Sequence, residues 1–289
     1  MEPWRGVRGK RVIITGATSG IGLAAARQLA VMGAELTIVA RSERRAAATL
    51  ARLGPSPAPD VLYADLASQH AIRHLADEIC ERYPRVHVLI NNAGAMYTSR
   101  QLSPDGIELT WALNHLAPFL LTTLLIDRLK ASAPARVITT ASAAHLGKQI
   151  PFDDLQADQA DHRYARLGFE RYGETKLANV LFTAELARRL DGSGVTANCF
   201  HPGFVGSGFN RNNGLLWQAA MLLASPFARS AERGAETLVW LADSPDVSEI
   251  SGGYFVDKRL RRTSAAAQDA SAAQRLWQLS EQQTQTRVQ

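Results

Sequence analysis

Val12-Ile13-Ile14-Thr15-Gly16-Ala17-Thr18-Ser19-Gly20-Ile21-Gly22 sets an apolar run directly before a glycine-rich turn, and an alanine-rich segment follows from Leu23. This order predicts a strand that turns into a helix. Glycine lets the backbone turn tightly or left-handed and admits a ligand close to the main chain. The first helical turn aims unpaired N–H groups and a positive dipole end at an anion. The glycines run G-x-x-x-G-x-G, wider at the start than the general G-x-G-x-x-G dinucleotide fingerprint. Their place after a first strand and at the head of a helix makes Gly16, Thr18, Ser19, Gly20, Ile21 and Gly22 a cradle for a dinucleotide pyrophosphate.

Working outward, strand-like apolar runs recur at 11–15, 35–40, 61–64, 86–90, 136–141, 195–200 and 253–256, with helical patterns between them. Ile21, Ala24, Ala25 and Leu29 fall at helical spacing, and Gly33 stands where a helix C-terminal glycine belongs. Alternating strand and helix means a parallel sheet, and strands buried on both faces read as continuous apolar runs. The expectation is a single α/β domain over residues 1–289, a doubly wound Rossmann fold with a seven-stranded, mainly parallel sheet. Ligand then binds at the carboxyl ends of the strands. Pro55, Pro57 and Pro59 mark a loop, since the rhythm resumes directly after them. Two segments break it: an irregular insertion loop at 143–170 and an apolar segment at 203–232, read as a substrate lid.

With 289 residues and 46% hydrophobic content, the chain is long enough for one substantial core. No stretch approaches the length of a membrane span and the start lacks an apolar signal core, so a cytoplasmic protein is expected. Cys80 and Cys199 stand in apolar surroundings and read as packing residues. The net charge of +5 is scattered and not interleaved with stacking aromatics, which argues against nucleic acid. His145 and His201 have no metal-ligand spacing around them and read as packing or hydrogen-bonding residues; no metal site is expected.

Tyr172-Gly-Glu-Thr-Lys176 opens a helical run, so tyrosine and lysine share one helix face at i and i+4. An ammonium beside a phenol favours the phenolate, which predicts a lowered tyrosine pKa and a usable acid–base group.

At this point the chain resembles the short-chain dehydrogenase/reductase family over nearly its whole length. The residues that carry the resemblance are Thr15-Gly16-x-x-x-Gly20-Ile21-Gly22, Asp65-Leu66, Asn91-Asn92-Ala93-Gly94, Asn114, Ser142, Tyr172-x-x-x-Lys176 and Pro202-Gly203, in that order. It is most similar to the retinol dehydrogenase-like branch through Lys176-Leu-Ala-Asn-Val-Leu-Phe-Thr, His201-Pro202-Gly203 and the tail Ala273-Gln-Arg-Leu-Trp277 with Ser280. The resemblance implies that Tyr172 exchanges a proton with the substrate oxygen and Ser142 hydrogen-bonds that oxygen. Lys176 would hold the nicotinamide ribose, and Asn114 a water in the proton path. Asp65 and Leu66 would receive adenine. Asn92, Ala93 and Gly94 would line the ribose and pyrophosphate, with Pro202, Gly203, Val205 and Ser207 near the nicotinamide. Ser207, where a threonine is common, and Ala141, where a second serine is common, depart from the family pattern.

After the second strand the sequence is Val39-Ala40-Arg41-Ser42, with no carboxylate before Glu43. A carboxylate there would bind a ribose 2′-hydroxyl, whereas Arg41 with Ser42 suits a 2′-phosphate, so the expected cofactor is NADP(H). The expected partner is a small-molecule carbonyl or alcohol, lipophilic if Met96, Tyr97, His145, Phe152, Phe204, Phe209 and Trp217 line the pocket. Two other readings stay open: an NADPH-dependent double-bond reductase and a non-catalytic NADP-binding sensor. By resemblance, the helix spanning Leu116 to Leu129 and the one carrying Tyr172 would pair in a homodimer or homotetramer, with a monomer as the alternative.

Overall fold

The computed structural model describes residues 3–53, 58–159, 164, 168–205 and 228–286. In the first half β1 (Arg11–Thr15), α1 (Gly20–Val31), β2 (Glu35–Ala40), α2 (Glu43–Leu53), β3 (Asp60–Tyr63), α3 (Gln69–Arg82) and β4 (Val88–Asn91) alternate strictly. A compound helix follows: α4 (Leu109–Trp111), a π-helical turn (Ala112–Leu116), α5 (Ala117–Leu124) and α6 (Ile126–Lys130). Then come β5 (Ala135–Thr140), α7 (Phe169–Arg189), β6 (Val195–His201), α8 (Ala231–Asp243), β7 (Tyr254–Val256), β8 (Arg259–Leu260) and α9 (Ala270–Thr284).

The strands form one sheet in the order β3-β2-β1-β4-β5-β6-β7-β8. Every neighbouring pair is parallel except β7 with β8. Strand order reverses between β1 and β4, which opens a crevice at their carboxyl ends. Side chains alternate between two cores as a period of two requires. Val12, Ile14, Ile38, Val88, Ile90 and Ile138 pack under α1 and α8. Ile13, Leu62, Leu89, Val137 and Ala197 face α3, α5 and α7. Gly33 closes α1 at φ 87, its N–H donating to the Ala30 carbonyl while Ala34 N–H reaches that of Leu29.

The seven strand-like runs are β1 to β7; the sheet has an eighth member where seven were expected. β8 is only two residues long and pairs through Phe255↔Leu260 and Val256↔Arg259. Its turn uses Asp257 at φ 51 and Lys258 at φ 59, the two positive φ values of a tight hairpin. A two-residue strand carries no readable pattern, and Asp-Lys is not the Asn-Gly or Asp-Gly pair that announces this turn.

The compound helix is buried inside the chain. Trp277 of α9 is 1% exposed and meets Phe119 edge-on at 4.9 Å, Phe182 in a stack at 5.9 Å and the Arg189 guanidinium at 4.3 Å. Phe119 of the helix expected to pair with a second subunit is thus in contact with the chain's own C-terminal helix. No helix among the described residues is long and apolar enough to cross a membrane.

Candidate active site

The predicted site residues after β1, β4, β5 and β6 meet because parallel registry brings those strand ends together. Asn91 pairs with Thr139, and Thr140 with Phe200. At the end of β1, Gly16 takes φ 68, and a Cβ there would lie 2.8 Å from the Ala93 Cα. A Cβ on Gly22 would overlap the Gly16 carbonyl and come within 2.5 Å of the Asn92 amide nitrogen. Only glycine permits this approach. Ser19 caps α1 without a side-chain hydrogen bond, and no acidic residue stands in the first turn. The helix therefore presents N–H groups and a positive dipole end to the crevice, which fits a pyrophosphate.

Asn92 braces this cradle. Its Nδ2 donates to the Thr15 and Gly16 carbonyls at 3.1 and 3.3 Å, and its Oδ1 accepts from Thr140 Oγ1 at 3.3 Å. Thr15 Oγ1 accepts from the Asn92 and Ala93 N–H groups. The Asn92 side chain is occupied by the protein, while Ala93 and Gly94 offer main chain. Arg41, Ser42 and Asp65 are exposed at the ends of β2 and β3, and Arg41 and Asp65 both act electrostatically on Tyr97.

At the end of β5, Ser142 Oγ accepts the Ala144 N–H at 3.1 Å. Its own proton is then free for Tyr172, with whose hydroxyl it hydrogen-bonds. Lys176 is 2% exposed and donates to the Thr140 carbonyl at 2.9 Å, its Nζ 5.5 Å from the Tyr172 ring centroid. Burial brings the lysine down to about 8, with a smaller opposing effect from Cys199. The tyrosine departs from expectation: burial pushes its hydroxyl up to about 12 against the opposing hydrogen bond from Ser142. Desolvation disfavours the phenolate more than its neighbours favour it. Tyr172 is only partly buried, unlike Lys176.

Asn114 sits in the π-helical turn, a rare conformation that concentrates at functional sites. Its Oδ1 accepts from Ala95 N–H at 2.8 Å, and its Nδ2 donates to the Ala95 carbonyl and to Thr175 Oγ1 at 2.8 and 3.1 Å. Gly94 lies between Asn114 and Lys176: a Cβ there would be 3.1 Å from Asn114 Oδ1 and 3.7 Å from Lys176 Nζ.

His145 Nδ1 lies 2.7 Å from the Ser142 carbonyl, and its ring meets Tyr254 edge-on. Burial, with Arg229 adding to it, lowers His201 to about 4. Met96 is buried and Phe204 half-exposed, whereas Phe152 lies under the Arg275 guanidinium of α9 at 4.3 Å. Pro202, Gly203 and Val205 follow β6, and Val205 bridges to Arg229, joining the two ends of the predicted lid. Ser207, Phe209 and Trp217 lie outside the described residues.

A buried ionic bolt that no sequence motif announces lies beside Tyr172. Glu108 and Arg171 are both wholly buried, with Arg171 Nε donating to Glu108 Oε2 at 2.6 Å. Arg171 also reaches Glu174 at 3.0 Å and the Leu155 carbonyl, and lies over the Trp111 ring at 4.9 Å. Glu108 accepts from Thr110 and Trp111 N–H at the start of α4 and from the Tyr164 hydroxyl. Burial pushes the Glu108 carboxyl up, but Arg171, Tyr164 and the Thr110 N–H outweigh it and hold the group below the usual carboxylate range. The signal available in sequence was a charged residue beside the tyrosine at the start of a helix otherwise bound for the core.

The family model described as short chain dehydrogenase matches residues 10–152. The chain is 41% identical over 280 residues to retinol dehydrogenase 12 of Mus musculus, covering 95% of this chain and 86% of that protein. Among solved structures, an uncharacterized protein from Mycobacterium paratuberculosis superposes with a TM-score of 0.79 at 32% identity, covering 99% of this chain and 97% of that one. The Pseudomonas aeruginosa RhlG/NADP active-site complex superposes at 0.68 with 28% identity, covering 88% and 97%.

Removing one member of the buried pair strands the other charge. Arg171→Met is expected to lower the free energy of unfolding by about 3–5 kcal/mol, read by chemical denaturation. A loss below about 1 kcal/mol would show that Glu108 does not depend on this partner.

Proposed function

Because the chain belongs to the short-chain dehydrogenase/reductase family, we propose that it interconverts a lipophilic ketone or aldehyde and its alcohol with NADP(H), Tyr172 serving as acid and base. It is an oxidoreductase of the NAD(P)-dependent kind that acts on CH–OH or C=O groups. The observation that carries the reading is the meeting of Ser142, Tyr172 and Lys176 beside Gly94, at the mouth of the glycine cradle.

NADPH, when bound, supplies the hydride. Tyr172 rests protonated, the form needed to give a proton to a carbonyl oxygen as charge develops there. Ser142 donates to that same oxygen, placing a second hydrogen bond where the transition state carries more charge than the ground state. Lys176 uses one of its protons on the Thr140 carbonyl and keeps the others for the ribose hydroxyls. Asn114, with its side chain engaged by Ala95 and Thr175, would hold a proton-path water through its main chain rather than its amide.

Arg41 and Ser42 support NADP(H) over NAD(H): both are exposed at the end of β2, with no carboxylate before Glu43. The RhlG relative, solved with NADP, agrees. Gly16, Thr18, Ser19, Gly20, Ile21 and Gly22 would hold the pyrophosphate, Asp65 and Leu66 the adenine, and Pro202, Gly203 and Val205 the nicotinamide side. Exposed apolar side chains support a lipophilic substrate: Leu146 follows Ser142, Phe169 precedes Tyr172, and Phe204 follows Gly203. The 203–232 segment would cover it.

Tyr172→Phe is expected to lower kcat by roughly 10²–10⁴-fold on an apolar carbonyl panel while NADPH still binds; unchanged turnover would refute the assignment. Lys176 carries its charge below about 8, so NADPH affinity is expected to hold below that pH and weaken above it. Lys176→Arg, which stays charged, should remove this step in a fluorescence titration. Arg41→Ala is expected to raise the KM for NADPH by about 10–100-fold and leave that for NADH nearly unchanged. Equal loss for both cofactors would sink the 2′-phosphate role.

A further inference from the structure

Tyr172 stands in the part of α7 that is hardest to hold still. Its N–H donates to the Gly168 carbonyl at 2.9 Å, the first rung of the helix ladder, so the tyrosine belongs to the turn where helices fray. Gly168 sits at the N-cap with φ 79 and has no side chain to cap that turn. A Cβ there would overlap the Tyr97 carbonyl, so a capping residue cannot take its place. Lys148 reaches Glu170 in the same turn at 2.5 Å, but these side chains are 20% and 36% exposed, where an ion pair holds little.

The firm hold on this turn comes from Arg171. Wholly buried, its guanidinium joins three parts of the chain: Glu108 ahead of α4 at 2.6 Å, Glu174 within α7 at 3.0 Å, and the Leu155 carbonyl of the 143–170 insertion. Glu108 is bound to that insertion as well. Its N–H donates to Gln156 Oε1 at 2.9 Å, and its Oε1 accepts from the Tyr164 hydroxyl at 2.7 Å. Burial and the Glu108 charge push the Tyr164 hydroxyl up, so it stays a donor. Arg100 secures the same stretch, donating from Nε to the Gln156 carbonyl at 3.0 Å.

Stability alone does not account for such a pair. Desolvation offsets much of the attraction between buried charges, and apolar side chains of similar volume would hold the fold as well. What a hydrogen-bonded guanidinium adds is direction, because its planar fork meets several partners in one geometry only. Lys176, one turn deeper, has its own anchor in the Thr140 carbonyl.

We propose that Glu108 and Arg171 are positioning residues for Tyr172: the buried pair stands in for the cap that α7 lacks and fixes the turn from which the tyrosine hydroxyl is aimed. Tyr164 latches the insertion onto the pair. No proton passes through it to substrate. The inference rests on the reading of Tyr172 as acid and base.

The test uses the full chain with NADPH and the apolar carbonyl panel. Glu108→Gln keeps an acceptor for the Thr110 and Trp111 N–H groups and leaves Arg171 its Glu174 partner. It is expected to lower kcat about tenfold or more, while the NADPH dissociation constant stays within about twofold because the glycine cradle and Lys176 are held separately. Tyr164→Phe, which loses one hydroxyl, should lower kcat about threefold, again sparing NADPH affinity, and it carries the test should Glu108→Gln not fold. A double-mutant cycle with Tyr172→Phe decides between positioning and general damage. In the Tyr172→Phe background either substitution should cost nothing further, since a residue that acts through Tyr172 has nothing left to aim. The same loss in both backgrounds, NADPH affinity falling in step with kcat, or an unchanged kcat would each reduce the pair to a structural role and overturn the proposal. Tyr172→Phe by itself separates the two readings: if it retains turnover, the assigned chemistry fails, whereas if it loses turnover and Glu108→Gln is silent, only the positioning role fails.

Discussion

The contact on which the site depends is the 2.9 Å hydrogen bond from the Lys176 ammonium to the Thr140 carbonyl. It joins the helix that carries Tyr172 and Lys176 to the end of the strand that leads into Ser142. Thr140 can accept it because parallel pairing with β4 has just ended. The end of a central strand thus becomes a ligand for a buried cation, and burial in turn brings that lysine down to about 8. The geometry of the three groups follows from where β5 stops.

Around this contact the protein buries a cluster of polar side chains. Asn92 ties the first glycine to Thr140, Asn114 ties the π-helical turn to α7 through Thr175, and the Glu108–Arg171 pair fastens the residue beside Tyr172 to the start of α4. Each of these groups would be costly to bury alone. Satisfied, they hold flexible side chains in one arrangement, which a site that orients a hydride acceptor requires. On another side the same helix packs against Trp277, which stacks on Phe182 and lies under the Arg189 guanidinium, so α9 completes this part of the core.

Much of the fold was legible because its code is local. Continuous apolar runs between glycines and helical stripes predicted seven strands that the sheet contains, and the glycine loop stands where β1 meets α1. What local pattern could not carry was β8, too short to show a period, and the contacts of Asn92 and Asn179, whose partners lie far off in the chain. The lowered tyrosine pKa expected from Lys176 at i+4 also fell short. Spacing reports proximity, whereas desolvation depends on everything packed around the ring, and here it wins.

By itself, the sequence determined the doubly wound architecture, the glycines at the turn from β1 into α1 and the serine, tyrosine and lysine that meet at the strand ends. Those properties depend on periodicity, backbone permissiveness and residue chemistry, all written within a few positions of one another. Tertiary structure alone decided which buried polar atoms pair, how deeply Tyr172 is buried and how α9 packs on α7. These depend on distances between residues far apart in the chain and on how much water packing excludes, and neither quantity exists until the chain has folded.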